Sequence, residues 1–123
     1  MTSFRLIAAL TEWTADRGAA LWRPADVDLG GERPPRVPGA LLLEALVQCA
    51  GMVLQQTDPD PTVFWMLAGV DDADVGVVAW HDEVIVDCTI RQRLQRAATV
   101  DANAVARDHL VCRAALLMIS RAL

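Results

Sequence analysis

Glu44 and Gln48 are the strongly polar side chains of an otherwise apolar stretch, residues 38–54 (PGALLLEALVQCAGMVL). A separation of four residues places both on one face of a helix. A carboxylate is rarely buried without a partner, because removal from water disfavours its charged form and raises its pKa. A carboxylic acid kept neutral in this way donates a proton readily near neutral pH. Glu44 is therefore a candidate catalytic acid.

A purely structural role for the pair is equally consistent with these residues. Glu44 would then form an ion pair with an arginine, such as Arg91 or Arg113, and Gln48 would bond a backbone group. Structural ion-pair networks also place carboxylates in protein interiors. The residues alone leave both interpretations open.

The elements that must position the pair can be read from hydrophobic patterning. Residues 38–54 predict a long helix, since Pro38 suits a first helical turn and the apolar residues cover nearly every face, as in a helix buried on nearly all sides. A short amphipathic helix is predicted over residues 3–15, with Ser3 as its cap. Strands are predicted at 19–23, 63–70, 84–91, 97–105 and 110–120, with loops at 25–37 and 55–62 and a hairpin turn at 107–109. This order favours an α+β fold, one long helix enclosed by a curved antiparallel sheet.

Length and composition limit the classes of function. A chain of 123 residues, 54% of them hydrophobic, is expected to form one domain (1–123) with a sizeable core and to associate with a copy or a partner. A net charge of −5 argues against nucleic-acid binding, which depends on clustered cations. Cys49, Cys88 and Cys112 lack metal-site spacing and are expected to be buried thiols, so we expect no metal and no cofactor.

The chain shows no signal-peptide pattern and no apolar run of about 20 residues. We therefore expect a cytoplasmic protein without membrane contact.

The stretch 30–51 (GGERPPRVPGALLLEALVQCAG) resembles the signature of small hot-dog-fold 3-hydroxyacyl-ACP dehydratases, in which H-F-P-x-x-P-x-x-P-G leads into E-A-x-x-Q on the central helix. Residues 63–75 are similar to the family's F-x-L-A-G-I-D-x-A, Asp82 stands at its P-G-D turn, and 110–120 resembles its closing strand, with Arg113 at the usual glutamate. The resemblance covers nearly the whole chain and implies the hot-dog fold. The residues in register are Pro35, Pro38, Gly39, Glu44, Ala45, Gln48, Ala50, Gly51, Leu67, Ala68, Gly69, Val70, Asp71 and Ala73.

What the resemblance implies for Glu44 is the role of the acid. In that family a histidine of one subunit removes the α-proton of the thioester, and the helix glutamate of the other subunit protonates the leaving hydroxyl. An N–H at Gly39, at the positive end of the helix dipole, would stabilise the enolate charge. The substrate contacts implied are Gly39, Gln48, Trp65, Leu67 and Gly69.

The family's histidine position is occupied by Gly30, followed by Gly31-Glu32 in place of Phe-Pro. His81 and His109 fall in predicted turns and are expected to be solvated rather than catalytic. Asp28 is closer in sequence but a weaker base, with an ordinary pKa of about 4. No residue in this region is therefore an obvious replacement for the base.

These observations favour a dehydratase-like subunit of fatty-acid or polyketide biosynthesis. It would act on an acyl chain bound to acyl carrier protein and share its site with a homologous, histidine-bearing hot-dog subunit. The alternatives are a hot-dog acyl-thioester hydrolase and a non-catalytic acyl-binding or scaffold subunit, because one fold hosts several chemistries. Arg33 and Arg36, beside the helix entrance, are candidates for docking an acidic carrier protein, and ordinary loop solvation explains them equally well.

Overall fold

The computed structural model describes residues 5–123, which form one helix and a six-stranded sheet. Every pair of neighbouring strands is antiparallel, and the strand order is β1-β2-β4-β5-β6-β3. The elements are β1 (Glu12–Trp13), β2 (Arg17–Trp22), α1 (Gly39–Thr57), β3 (Val63–Val75), β4 (Val84–Arg93), β5 (Ala97–Ala106) and β6 (His109–Ala122), with a 3₁₀ turn at Pro24–Asp26. The predicted α+β class, central helix and antiparallel sheet are confirmed.

Helix α1 begins at Gly39, directly after Pro38, which caps it. Proline fixes its own φ, here −58°, and its carbonyl accepts the first bonds of the helix from the N–H groups of Leu41 and Leu42. The helix ends at Thr57, before the Asp58-Pro59 step. It starts one residue after the predicted segment and ends three residues beyond it, so its last turn takes the beginning of the expected loop.

The core lies between α1 and the sheet. Alternate residues of the central strands point toward the helix and are buried, as the two-residue period of a strand requires. The helix contributes Leu42, Ala45, Leu46, Cys49, Ala50, Val53 and Leu54, and the strands contribute chiefly Val84, Val86, Cys88, Val100, Ala102, Ala104, Ala114, Leu116 and Met118. The three cysteines are buried free thiols, as expected.

The predicted helix over residues 3–15 is wrong for the part that the structure describes; Ser3, its predicted cap, lies outside the described residues. Residues 5–11 form no helix, and Glu12–Trp13 is the short strand β1, paired with β2. The spacing of Ile7 and Leu10 is helical, but the N–H of Ile7 bonds the side chain of Gln48 and that of Thr11 bonds the carbonyl of Ala19. Tertiary hydrogen bonds have therefore overridden a weak local preference.

The prediction that α1 is buried on nearly all sides is also wrong for the single chain. The sheet covers one face, while Leu43, Val47 and Met52 are half-buried and Glu44 is exposed. By length and composition α1 could cross a membrane, yet its apolar inner face packs into the core of the sheet. That is the position of a core helix in soluble proteins.

Strand β3 forms one edge of the sheet and pairs with β6 alone. Its pairing is irregular between Leu67 and Gly69 and again between Asp71 and Asp74. The apolar side chains of Phe64, Met66, Leu67, Val70 and Val75 are exposed along it. The edge therefore presents both free backbone groups and apolar surface.

Candidate functional site

An open groove of about 750 Å³ lies between the outward face of α1 and the first half of β3. Its floor is mostly apolar, and Glu44 and Gln48 stand on the helix side. Of the substrate contacts predicted from the sequence, Gln48, Trp65 and Leu67 line the groove together with Glu44. The fold thus brings the helix pair and an apolar strand to one place.

Gln48 is held in one orientation by the backbone before β1. Its Oε1 accepts hydrogen bonds from the N–H groups of Leu6 (2.7 Å) and Ile7 (3.1 Å). A backbone N–H can only donate, so the atom that faces these two groups must be the amide oxygen. The Nε2 of Gln48 therefore points the other way and donates to Oε1 of Glu44 at 3.1 Å. Two backbone donors thereby orient one carboxylate oxygen through a single side chain.

Both arginines considered as ion-pair partners of Glu44 are engaged elsewhere. Arg91 lies 2.7 Å from Asp101, and Arg113 lies 2.9 Å from Asp74 and 3.3 Å from Asp72. No residue of the described range 5–123 forms an ion pair with Glu44, so the ion-pair interpretation is wrong for that part of the chain. The backbone bonds expected of Gln48 in that interpretation are present.

The burial expected of Glu44 is not found in the single chain, because the sheet covers only the opposite face of α1. Glu44 lines the open groove, and its second carboxylate oxygen forms no hydrogen bond with residues 5–123. That oxygen is free to meet a ligand.

The two predicted glycine contacts lie outside the groove. Gly39 is the first residue of α1, about 7.5 Å along the helix axis from Glu44, and a Cβ built on it would be 3.0 Å from Cγ1 of Val75. Gly69 is half-buried on β3 beside Leu117, just after the first irregularity in pairing. Their assignment as substrate contacts stays a prediction.

Neither histidine lines the groove. His81 is exposed, with Nε2 2.7 Å from Nη2 of Arg107, and His109 is exposed at the start of β6. Gly30 has φ +76°, a left-handed conformation that glycine tolerates, and its N–H donates to Oδ1 of Asp28 at 2.8 Å. Asp28 thus closes a local turn in an exposed loop. The groove contains an acid but no base of the expected kind.

Arg33 is occupied within its own loop. Its Nη2 donates to the carbonyls of Ala25 (2.7 Å) and Val27 (2.8 Å), and its guanidinium lies 4.7 Å from the centre of the Trp80 ring. Arg36 is exposed and forms no ion pair with any residue of the described chain. Of the two predicted docking residues, Arg33 is held in place by its loop, whereas Arg36 has no such hydrogen bond to residues 5–123.

Several groove residues were missed by the sequence analysis. Arg5 and Ile7 come from the segment predicted as a helix, and Met52 comes from α1. Met52 could have been inferred, because it lies four residues after Gln48 and therefore on the same face of the helix. The backbone N–H groups that hold Gln48 have no side-chain signature, so nothing in the residue types indicated them.

Comparison with solved structures identifies the fold, while no protein-family model matches the chain. A chain of the dehydratase heterocomplex ApeI:P from Xenorhabdus doucetiae aligns with a TM-score of 0.79 at 9% identity, covering 95% of this chain and 83% of that one. A Streptococcus mutans protein bound to acetyl CoA aligns with a TM-score of 0.76 at 12% identity (99% and 94% covered), and a thioesterase from Pseudomonas aeruginosa with 0.73 at 14% (93% and 81%). At such low identity the likeness concerns the fold alone: the chain has the hot-dog fold, which both thioesterases and dehydratases adopt.

Proposed function

We propose that this chain is a dehydratase-like subunit that supplies the acid Glu44 to a site shared with a homologous, histidine-bearing subunit. The substrate would be a 3-hydroxyacyl thioester carried by an acyl carrier protein. The observation that carries the proposal is that the groove holds only one of the two catalytic groups. The oriented carboxylate of Glu44 lies beside mostly apolar residues, and neither histidine lines the groove.

The exposed edge strand β3 indicates where the partner subunit would bind. Its second half carries Asp71, Asp72 and Asp74, and charged side chains protect a sheet edge from association. Its first half, residues 63–70, lacks charge and exposes apolar side chains directly beside the groove. A second hot-dog subunit seated on this half would cover both the apolar edge and Glu44.

The chemistry divides between the two subunits. The histidine of the partner would take the α-proton of the 3-hydroxyacyl thioester, and Glu44 would give its proton to the leaving 3-hydroxyl. The C–O bond breaks, water departs and a 2-enoyl thioester remains. Cover by the partner would exclude water from Glu44 and favour the protonated form that an acid requires.

The experiment measures the rate at which a 3-hydroxyacyl thioester on acyl carrier protein is dehydrated. The catalysts compared are the purified chain, a histidine-bearing hot-dog homologue from the same genome, and a mixture of the two. Activity should be highest in the mixture. Glu44→Gln should lower the rate of the mixture by about 10²-fold or more, the usual contribution of a positioned acid. Glu12→Gln, the same change on exposed β1 outside the groove, is the matched control.

Three other outcomes would count against the shared site. Full activity of the chain alone would mean that this chain provides its own base. An equal loss with Glu12→Gln would mean that the effect is not specific to the groove. A mixture no more active than the homologue alone would mean that Glu44 contributes nothing to dehydration.

Thioester hydrolysis is the second candidate, and the openness of the groove favours it. The unbonded oxygen of Glu44 is accessible in the single chain, so it could activate a water molecule without a histidine. Structural neighbours include a thioesterase from Pseudomonas aeruginosa. Release of free thiol from an acyl thioester by the chain alone, abolished in Glu44→Gln, would favour hydrolysis.

The third candidate is the non-catalytic scaffold role. It would be favoured if Glu44→Gln changed the rate of neither dehydration nor hydrolysis.

A further inference from the structure

The lining of the Glu44 groove includes one arginine, Arg5, from the segment before β1. Arg5 is exposed and forms no ion pair or side-chain hydrogen bond with residues 5–123. The division of the chemistry between Glu44 and a histidine leaves this cation without a role. Its place in the groove is therefore a feature of the site still to be explained.

Hydrogen bonds hold the backbone next to Arg5 close to the acid. The N–H of Leu6 donates to Oε1 of Gln48 at 2.7 Å, and the N–H of Ile7 donates to the same oxygen at 3.1 Å. Nε2 of Gln48 in turn donates to Oε1 of Glu44 at 3.1 Å. The amide nitrogen of Leu6 is therefore within about 8 Å of Oε1 of Glu44, since only the amide group of Gln48 separates the two bonds. Arg5 directly precedes Leu6, so its long side chain can place a guanidinium beside a substrate bound at Glu44.

The two amide side chains of the groove are already engaged. Gln48 donates to Glu44. Gln55 lies about 16.5 Å farther along the helix axis than Glu44, and its Nε2 donates to the carbonyl of Asp60 at 2.8 Å. The N–H of Gly39, predicted from the sequence to stabilise enolate charge, lies outside the groove. Among the described residues of the lining, Arg5 is thus the charged donor available to a substrate near Glu44.

Dehydration of a 3-hydroxyacyl thioester creates negative charge that such a donor would stabilise. When the histidine takes the α-proton, the electron pair of the C–H bond joins the α-carbon to the carbonyl carbon, and the carbonyl π pair moves onto oxygen. The carbonyl then re-forms, the α,β-double bond appears and the C–O bond at the β-carbon breaks. The leaving oxygen takes the proton of Glu44 and departs as water. The carbonyl oxygen therefore carries its largest charge between these two steps.

The charge of Glu44 does not offset that of Arg5 before the reaction. Glu44 is neutral while it holds the proton that it will donate, and it becomes negative only as that proton leaves. The guanidinium of Arg5 keeps its charge throughout and can donate two hydrogen bonds to one acceptor group. It would therefore face more negative charge in the transition state than in the bound substrate, which is the condition for lowering the barrier.

We propose that Arg5 is a catalytic residue whose guanidinium donates hydrogen bonds to the carbonyl oxygen of the bound thioester. The dehydration step rests on the proposed function. The contact with the carbonyl oxygen is independent of it, because hydrolysis of a thioester also places negative charge on this oxygen.

The first measurement is of binding and needs no turnover. The chain, mixed with the histidine-bearing homologue, is titrated by calorimetry with two unreactive analogues of 3-hydroxyoctanoyl pantetheine. An amide replaces the thioester in one analogue and keeps the carbonyl, whereas a thioether without a carbonyl replaces it in the other. The amide should bind about tenfold more tightly or better, since hydrogen bonds to a charged group are the stronger ones. Arg5→Gln should remove most of this preference, and Arg5→Lys should keep part of it.

The second measurement is the rate of dehydration by the same mixture. Arg5→Gln should lower kcat by about 10²-fold, the usual loss for an oxyanion donor, and change KM little. Arg5→Lys should recover part of that loss, which a purely structural role would not predict. The matched control is Arg17→Gln, the same loss of charge at an exposed position on β2.

The possible failures of the two proposals can be told apart. An equal loss with Arg17→Gln, a preference for the amide that survives Arg5→Gln, or no binding of either analogue would overturn the role of Arg5. Dehydration by the mixture that Arg5→Gln leaves unchanged would overturn that role and leave the proposed function intact. A preference for the amide that depends on Arg5, in a mixture that does not dehydrate, would support the contact and overturn the dehydratase function.

Discussion

The Nε2 of Gln48 donates a hydrogen bond to Oε1 of Glu44, one helical turn earlier on the outward face of α1. Because the Oε1 of Gln48 is occupied by two backbone N–H groups, those of Leu6 and Ile7, the amide cannot turn over without losing both bonds. Gln48 is therefore a positioning residue for Glu44. It also joins the segment before β1 to the helix.

Gln48→Met is expected to affect both stability and catalysis. Methionine has similar length but leaves the N–H groups of Leu6 and Ile7 without their acceptor, so the free energy of unfolding should fall by about 1–3 kcal/mol. In the active assembly kcat should fall about tenfold while KM changes little, since the acid is less well oriented. Urea unfolding and steady-state kinetics measure the two effects.

A second variant separates positioning from structure. Gln48→Glu keeps an acceptor for the two N–H groups but removes the donor to Glu44 and places a second carboxylate beside it. We expect a displaced pH profile of kcat and a smaller loss of stability than in Gln48→Met. A normal rate and pH profile in Gln48→Glu would show that Gln48 serves structure alone.

Glu44→Gln is expected to leave the stability of the chain nearly unchanged. Glu44 is exposed and has no ion pair with the described residues, and a glutamine oxygen can still accept the bond from Gln48. Its free energy of unfolding should change by less than about 0.5 kcal/mol, as for ordinary surface substitutions. A loss of several kcal/mol in urea unfolding would instead return Glu44 to a structural role.

The helix pair was predictable from sequence because its signal is local. A proline, an apolar run and two polar residues four apart specify α1 and its functional face, and alternation specifies β4 to β6. The extended course of residues 5–11 was not predictable, since it depends on bonds to Gln48, some 40 positions away.

Gly18 on β2 packs against the inner face of α1, whereas Gly51 lies in α1 itself, on the side of the groove. Alanine should lower the stability of the fold at Gly18 and raise it at Gly51. A Cβ at buried Gly18 would lie 2.6 Å from Cγ2 of Val53, a stiff side chain in the core, so Gly18→Ala should cost about 1–3 kcal/mol of stability. A Cβ at Gly51 meets no atom within 4 Å, and Gly51→Ala should stabilise the helix by up to about 1 kcal/mol. Urea unfolding of both variants tests this pair, and a shift of the same sign in both would contradict the described packing.

Asp82 should make the stability of the fold depend on acid pH. Burial raises the pKa of its carboxyl, but the N–H of Ala79 (3.0 Å) and the guanidinium of Arg107 (2.7 Å) outweigh that effect and hold the pKa below its ordinary value. A depressed folded-state pKa contributes stability that is present above the unfolded pKa of about 4 and disappears as the pH falls through the folded value.

Asp82→Asn should therefore be less stable than the natural chain at pH 7, by about 1 kcal/mol for the weakened bond to Arg107. The difference should persist down to about pH 4 and shrink below it, as the natural carboxyl becomes protonated in the folded state as well. Glu83→Gln is the matched control, because the Glu83–Arg23 pair at 3.5 Å is exposed and should contribute little. Unfolding in urea between pH 7 and pH 3 measures both. A difference between the natural chain and Asp82→Asn that stays constant to pH 3 would show that the charge of Asp82 does not stabilise the turn, since protonation would then leave it unaffected.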